Sequence, residues 1–226
     1  MSSPSTIVPV LGGGRLVLFP GMRCQVHLRS AQSQAALVAA AERDGSVAVF
    51  ASRFEAERGI GVDHFHGVGA LARVRNLGRS TCCGRPAAEL EGIARVCVDE
   101  WTRLDPFREA RCSILAEPMA DAKAHRLAFE VSALSIRLRG LFPRCVHRSD
   151  AAERVALATT PGAVLGAVAT LFLDLPTFER QQLLELDSLA ECLEHVLCVL
   201  LERLARAAHS VAREEGGPTG PRLVRG

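Results

Sequence analysis

The sequence predicts an α+β fold, a sheet followed by a helical bundle, on three observations. As far as Met119 the apolar residues alternate or fall in short β-rich runs broken by glycine, proline and aspartate. From Asp121 onward they recur at three- and four-residue steps, the period of helices. The first half holds a single helical stretch among many short strands, which favours a small barrel or folded sheet over a parallel α/β arrangement. The expected division is a sheet subdomain over 1–120, a helical bundle over 121–215 and a disordered Gly- and Pro-rich tail over 216–226.

The strands are read in order. Ile7 to Leu11 and Leu16 to Phe19 form the first two, and Pro20-Gly21 turns the chain into the alternating run Cys24 to Leu28. Ser30 is placed to cap a helix through Ala36, Leu37, Ala40 and Ala41, which Asp44-Gly45 ends. Ser46 to Phe50 reads as a buried strand, and Gly67 to Val74 as another. After a turn region from Leu77 to Pro86, Ala88 to Trp101 reads as one strand bent at Gly92, where a bulge would fit. Asp105-Pro106-Phe107 then leads into a last strand, Ala110 to Glu117.

In the second half, Leu127, Val131, Leu134, Leu138 and Leu141 make one stripe, and Pro143 stops that helix. Asp150 to Glu153 has the form of a capping box. Thr160-Pro161 reads as an N-cap with proline at the first helical position, opening a helix that carries Val164, Leu165, Val168 and Leu171. Thr177 opens another with Phe178, Leu183 and Leu184 on its apolar side. Ser188 to Glu191 caps the last helix, whose apolar face runs from Leu189 to Leu204. Such helices make a compact bundle.

Composition removes several function classes. The net charge is +2 and aromatic residues make up 4%, so neither a concentrated basic stripe nor stacking platforms favour nucleic acid. The basic run from Arg137 to Arg148 is interrupted by leucines and reads as the wet face of a helix. The first residues lack a signal-peptide pattern and no stretch is unbroken enough to span a membrane, so a cytoplasmic protein is expected. None of the eight cysteines sits in a C-x-x-C pair, and Cys97, Cys112, Cys192 and Cys198 lie in apolar runs as small hydrophobes. Gly12-Gly13-Gly14 lacks the lysine and hydroxyl residue of a phosphate loop and reads as a tight turn. No Gly-x-Ser-x-Gly elbow is present, and Lys123, the one lysine, sits in a linker from Asp121 to His125 that offers no scaffold for a Ser–Lys dyad. His64-Phe65-His66 puts two imidazoles on one side of an extended segment, without a clear third ligand. No catalytic residue, metal or cofactor is expected.

Several segments, in their order and spacing, resemble the N-terminal substrate-recognition domain of Lon-type proteases. Ile7 to Leu11 leading to Leu18-Phe19-Pro20-Gly21-Met22 is similar to the opening of that domain. Leu90-Glu91-Gly92-Ile93-Ala94-Arg95-Val96 resembles its Glu-Gly-x-x-Arg strand, and Asp105-Pro106-Phe107 its Pro-Phe turn. Leu175 to Thr177, before a Gln- and Leu-rich helix, resembles a segment of its helical half. The resemblance runs roughly from Ile7 to Arg206 and implies a PUA-like β-barrel followed by a helical bundle. It implies a non-catalytic module, here without the ATPase and peptidase parts, that binds peptides, unfolded substrates or a partner protein. An adaptor or regulator of proteolysis working with an ATP-dependent protease would fit. Candidate contact residues lining a groove between barrel and bundle are Phe19, Met22, Phe65, Trp101 and Phe107. The alternatives are a metal or redox protein using His64, His66 and the Cys82–Cys83 turn, and a PUA-like nucleic-acid binder.

Overall fold

The computed structural model describes residues 5–12, 14–53, 61–80, 83–141 and 151–215. Gly13, Cys82, Pro143, Asp150 and the 216–226 tail, on which parts of the sequence reading rest, lie outside them. The strands are β1 (Ser5–Gly12), β2 (Arg23–His27), β3 (Ser46–Phe50), β4 (Val68–Arg79), β5 (Pro86–Arg103) and β6 (Glu109–Ile114). The helices are α1 (Ala31–Ala41), α2 (Ala122–Leu141), α3 (Ala151–Ala156), α4 (Pro161–Ala167), α5 (Thr177–Glu185) and α6 (Leu189–Glu215), with a π-helical turn at Val168–Phe172. None of the described helices is long and apolar enough to cross a membrane.

The six strands form one mixed sheet in the order β2-β5-β4-β3-β1-β6, and β5 pairs with β6 as well, so the sheet curls back on itself. Only β1 and β3 run parallel. The length of β5 makes this possible. Its first part lies between β2 and β4, and its second part between β4 and β6. The change of partner follows the bend expected at Gly92. Leu71 sits opposite Ala94 and Ala72 opposite Gly92, leaving Ile93 as the extra, bulged residue.

Gly92 also receives the Phe19-Pro20-Gly21-Met22 turn. The Met22 amide donates to the Phe19 carbonyl across it, with Gly21 at φ +77° in the position where glycine is favoured. The Gly21 amide donates to the Gly92 carbonyl and the Gly92 amide to the Met22 carbonyl, both at 2.9 Å. A Cβ on Gly92 would stand 2.2 Å from the Phe19 carbonyl oxygen, a distance no side chain can occupy.

Leu16 to Phe19, expected as a strand, belongs to no strand. Val17, Leu18 and Phe19 are buried in the main core instead. The run is as apolar as a strand because it is covered on all sides, and a short buried run has no period that separates the two cases. That core joins Val47, Val49, Ala70 and Leu90 of the sheet to Leu127, Val131, Leu165, Phe172, Leu193 and Leu200 of the helices. Sheet and bundle therefore share one interior. A second cluster, with Val10, Phe50, Val96 and Cys112, fills the curl of the sheet.

Helix starts follow the expected chemistry. Ser30 accepts from the Ser33 amide at 3.1 Å, Thr160 from the Ala163 amide at 3.2 Å, and Ser188 from the Glu191 amide at 3.3 Å. Each such cap contributes about 1 kcal/mol. Three apolar positions depart from expectation, since Leu141, Phe178 and Leu201 are 57%, 65% and 49% exposed.

Arg95, three residues beyond Gly92, is 4% exposed. Its guanidinium donates to the carbonyls of Leu184, Leu186 and Ala116 and to the Asp187 carboxylate, at 2.7 to 3.2 Å. The last carbonyls of a helix lack partners within it, so Arg95 completes the C-terminal end of α5 while holding the exit of β6. Gly92→Ala and Arg95→Met should each lower stability by about 3 kcal/mol, the first by backbone collision and the second by stranding buried acceptors. Urea unfolding monitored at Trp101 would measure this, and a loss below about 1 kcal/mol for either would contradict the assigned role.

Candidate recognition surface

The five candidate contact residues do not gather along one groove. Phe19 and Met22 lie in the main core and are 2% and 3% exposed. Phe65 is buried in the second cluster, where its ring centroid is 5.8 Å from that of half-buried Trp101. The Arg108 guanidinium covers the Phe65 ring at 5.1 Å, and Arg103 stands 5.2 Å over Phe107, itself buried. These side chains shape the surface from beneath it.

His64 and His66 are equally separate from the Cys82–Cys83 turn. The histidines lie just before β4, whereas Cys83 follows its far end, with its Sγ 3.9 Å from Nδ1 of His27 on β2. Cys82 lies outside the described residues, among which no group of three or more His, Cys, Asp or Glu is arranged to hold a metal ion. His66 instead helps dock α5 on the sheet. Its Nδ1 is 3.5 Å from Glu185 Oε1, which accepts from Gln181 at 2.7 Å, and Gln181 also donates to the Val68 carbonyl at 2.9 Å. Arg180, beside it, donates to the Arg15 carbonyl at 3.1 Å. Burial holds the His66 imidazole below its ordinary pKa of 6.5, outweighing the raising influence of Glu185, and Arg53 adds to the lowering.

Two cysteines are chemically quiet. Burial, with Asp99 and Cys97 nearby, pushes the Cys112 thiol up to about 12, and burial pushes Cys192 up to about 11. Cys83 and Cys198 are exposed.

The accessible polar relief lies at the other end of the sheet, where β2, β5 and β4 run side by side. Glu91 sits between Arg23 of β2 and Arg75 of β4 and pairs with both. Burial works to raise its pKa, but the hydrogen bonds from Arg75 and Arg23 prevail and hold the carboxyl below its ordinary value. Next to this row is a groove of about 230 Å³, whose lining includes Cys24, Gln25, Arg79, Ala88, Glu89 and Arg154. Arg154 reaches over from α3 to donate to the Arg23 carbonyl at 3.1 Å. Sequence reading missed this region because its residues are individually unremarked surface types. The arginines and the alternation of Cys24 to Leu28 were the available signals.

Comparison with known proteins gives a consistent set of matches. Residues 7–202 match the family profile described as the ATP-dependent protease La (LON) substrate-binding domain. A Lon protease of Phenylobacterium zucineum (strain HLK1) is 32% identical over 203 residues, covering 88% of this chain. The chain spans only 24% of that relative's length. Among solved structures, the N-terminal domain of a Mycobacterium avium complex Lon protease superposes with a TM-score of 0.66 at 21% identity, covering 86% of this chain and 98% of that one. A Lon N-terminal domain protein from Xanthomonas campestris gives 0.57 at 18% identity, covering 85% and 98%.

Two outcomes follow. A thiol reagent added to the folded protein should label Cys83 and Cys198 rapidly and leave Cys112 and Cys192 unlabelled until denaturant is added, as peptide mapping would reveal. A buried thiol labelled as fast as Cys83 would contradict the packing. For His66, the folded state binds a proton less readily than the unfolded state. Its contribution to stability is full above pH 6.5 and is lost as pH falls through the lower folded value. The fall in Tm between pH 7.5 and pH 5.5, roughly one unit either side of the free value, should therefore be smaller in His66→Gln than in the parent protein. An equal fall in both would remove His66 from that role.

Proposed function

The chain belongs to the Lon protease substrate-binding domain family, and on that premise we propose that it acts as a recognition module, binding unfolded or extended polypeptide without cleaving it. The observation that carries this reading is the match to the substrate-binding domain across residues 7–202, sheet and bundle alike. Physical features support it. The fold offers a strand edge and a charged groove to an extended backbone, and main-chain hydrogen bonding to such an edge tolerates many sequences. Phe19 and Met22, buried in the main core under the turn that leads into β2, hold the start of that edge rigid, so little ordering cost falls on the protein when a polypeptide docks.

The finer reading is that of an adaptor or regulator that passes bound polypeptide to an ATP-dependent protease. Similarity to a Lon protease supports the setting of proteolysis, and the identity of the protease and of the substrate is part of the proposal. A cytoplasmic location goes with it.

Retention on the immobilised chain tests the reading. A reduced and carboxymethylated protein, unable to refold, should be held above an unrelated immobilised domain, with or without ATP, and be recovered intact. The same protein in its native state should pass through. Equal retention of both forms, or none above the control, would sink the proposal.

A further inference from the structure

β2 is the one strand of the described sheet that pairs along a single side. Its bonds to β5 use the even-numbered residues. The Gly92 amide donates to the Met22 carbonyl and the Leu28 amide to the Pro86 carbonyl, each at 2.9 Å. Antiparallel alternation then gives Cys24 and Val26 the bonds between them. Arg23, Gln25 and His27 consequently turn their N–H and C=O groups away from β5. At Arg23 the outward carbonyl is met by the Arg154 guanidinium, which puts an N–H donor where the amide of a neighbouring strand would stand. Among the described residues, the outward backbone groups of Gln25 and His27 have no such partner.

The side chains define what can be added. Cys24 and Val26 are half-buried against the main core, so a β-branched side chain on the added strand would extend that apolar face. Arg23, Gln25 and His27 project on the exposed face. Residues 23–29 and 73–91, which build this arm of the sheet, contain six arginines and two glutamates, a net of +4 in a chain whose whole net charge is +2. Glu91 is already shared by Arg23 and Arg75, Arg79 donates to the Gly84 carbonyl, and Arg79 and Arg154 both line the groove beside Glu89. Acidic side chains suit this face, and a repeating backbone donor and acceptor suits the edge.

We propose that the free edge of β2 is a docking site for an extended polypeptide segment of alternating β-branched and acidic residues, which adds to the sheet as a further strand and sets its carboxylates among Arg23, Arg79 and Arg154. This rests on the reading of the chain as a polypeptide-binding domain, and supplies that reading with a place and a sequence preference. A backbone edge distinguishes it from a nucleic-acid site, since phosphates accept from arginines and amides but offer no donor to the outward carbonyls.

The test uses the full chain labelled with 15N and an acetylated, amidated peptide of alternating valine and glutamate between terminal glycines. Saturating peptide should slow amide exchange at Gln25 and His27 by about tenfold or more, while Cys24 and Val26, already bonded to β5, change little. Gln25→Pro removes an outward N–H that β5 does not use, and should weaken binding by about tenfold or more with Tm unchanged. If that variant fails to fold, the amide exchange of the parent chain decides. A peptide with lysine in place of glutamate should bind about tenfold more weakly or worse. Unchanged exchange at Gln25 and His27, or equal affinity for the lysine peptide, would overturn the proposal. So would protection of the same amides by a single-stranded oligonucleotide with a steep salt dependence. Undiminished retention of unfolded protein by Gln25→Pro would overturn the edge site while leaving the recognition role standing, whereas a parent chain that retains nothing overturns both.

Discussion

The structure depends on what two residues of one strand accept. Gly92, lacking a side chain, lets the Phe19-Pro20-Gly21-Met22 turn lie directly on β5. Arg95, one short step along, reaches the end of α5, the α5–α6 connection and the exit of β6. The first contact brings the buried segment Val17 to Phe19 into the core, and the second fixes the helices over the sheet. A buried arginine is costly unless its donors are met, and here both terminal nitrogens are met by three carbonyls and a carboxylate, while Nε stays without a partner. The gain is positional. Three separate stretches of chain are located by β5, and the shared interior follows from their meeting.

Much of this was legible in the sequence, and the limits are physical. The bulge at Gly92 was readable because glycine within an otherwise strand-like run has few other uses. The caps at Ser30, Thr160 and Ser188 were readable because a hydroxyl before a helical period does local work. Leu16 to Phe19 was misread, since burial on all sides and membership of a strand select the same residues. The role of Arg95 was hidden because arginine is ordinarily a surface residue, and two of the three carbonyls it serves are about ninety positions away. Family resemblance pointed to the Glu-Gly-x-x-Arg strand, and its physical content emerged once the chain was folded.

The candidate site was less legible than the fold. Scarce aromatic residues drew attention as contact positions, yet in a chain with 4% aromatics they are also the largest volumes available to fill a core. Phe65 and Trp101 pack at a tilt within the curl of the sheet, and Phe19 and Met22 support the helices. The edge of β2 left no mark of its own. Which strand lacks a second neighbour is decided by the order of pairing across the whole sheet, and no local period encodes that order. His64, His66 and Cys83 show the same limit in reverse, because residues close in sequence composition are placed at opposite ends of β4.

The reach of Arg95 has a consequence for how the chain is made. Synthesis proceeds from the N-terminus, and every strand of the sheet has been produced by Ile114. The carbonyls of Leu184 and Leu186 and the carboxylate of Asp187 arrive about seventy residues later. Until then the nascent sheet carries a guanidinium without most of its acceptors, beside an apolar surface without its cover. The sheet is therefore finished by a segment it cannot recruit early, and its completion waits on the connection between α5 and α6.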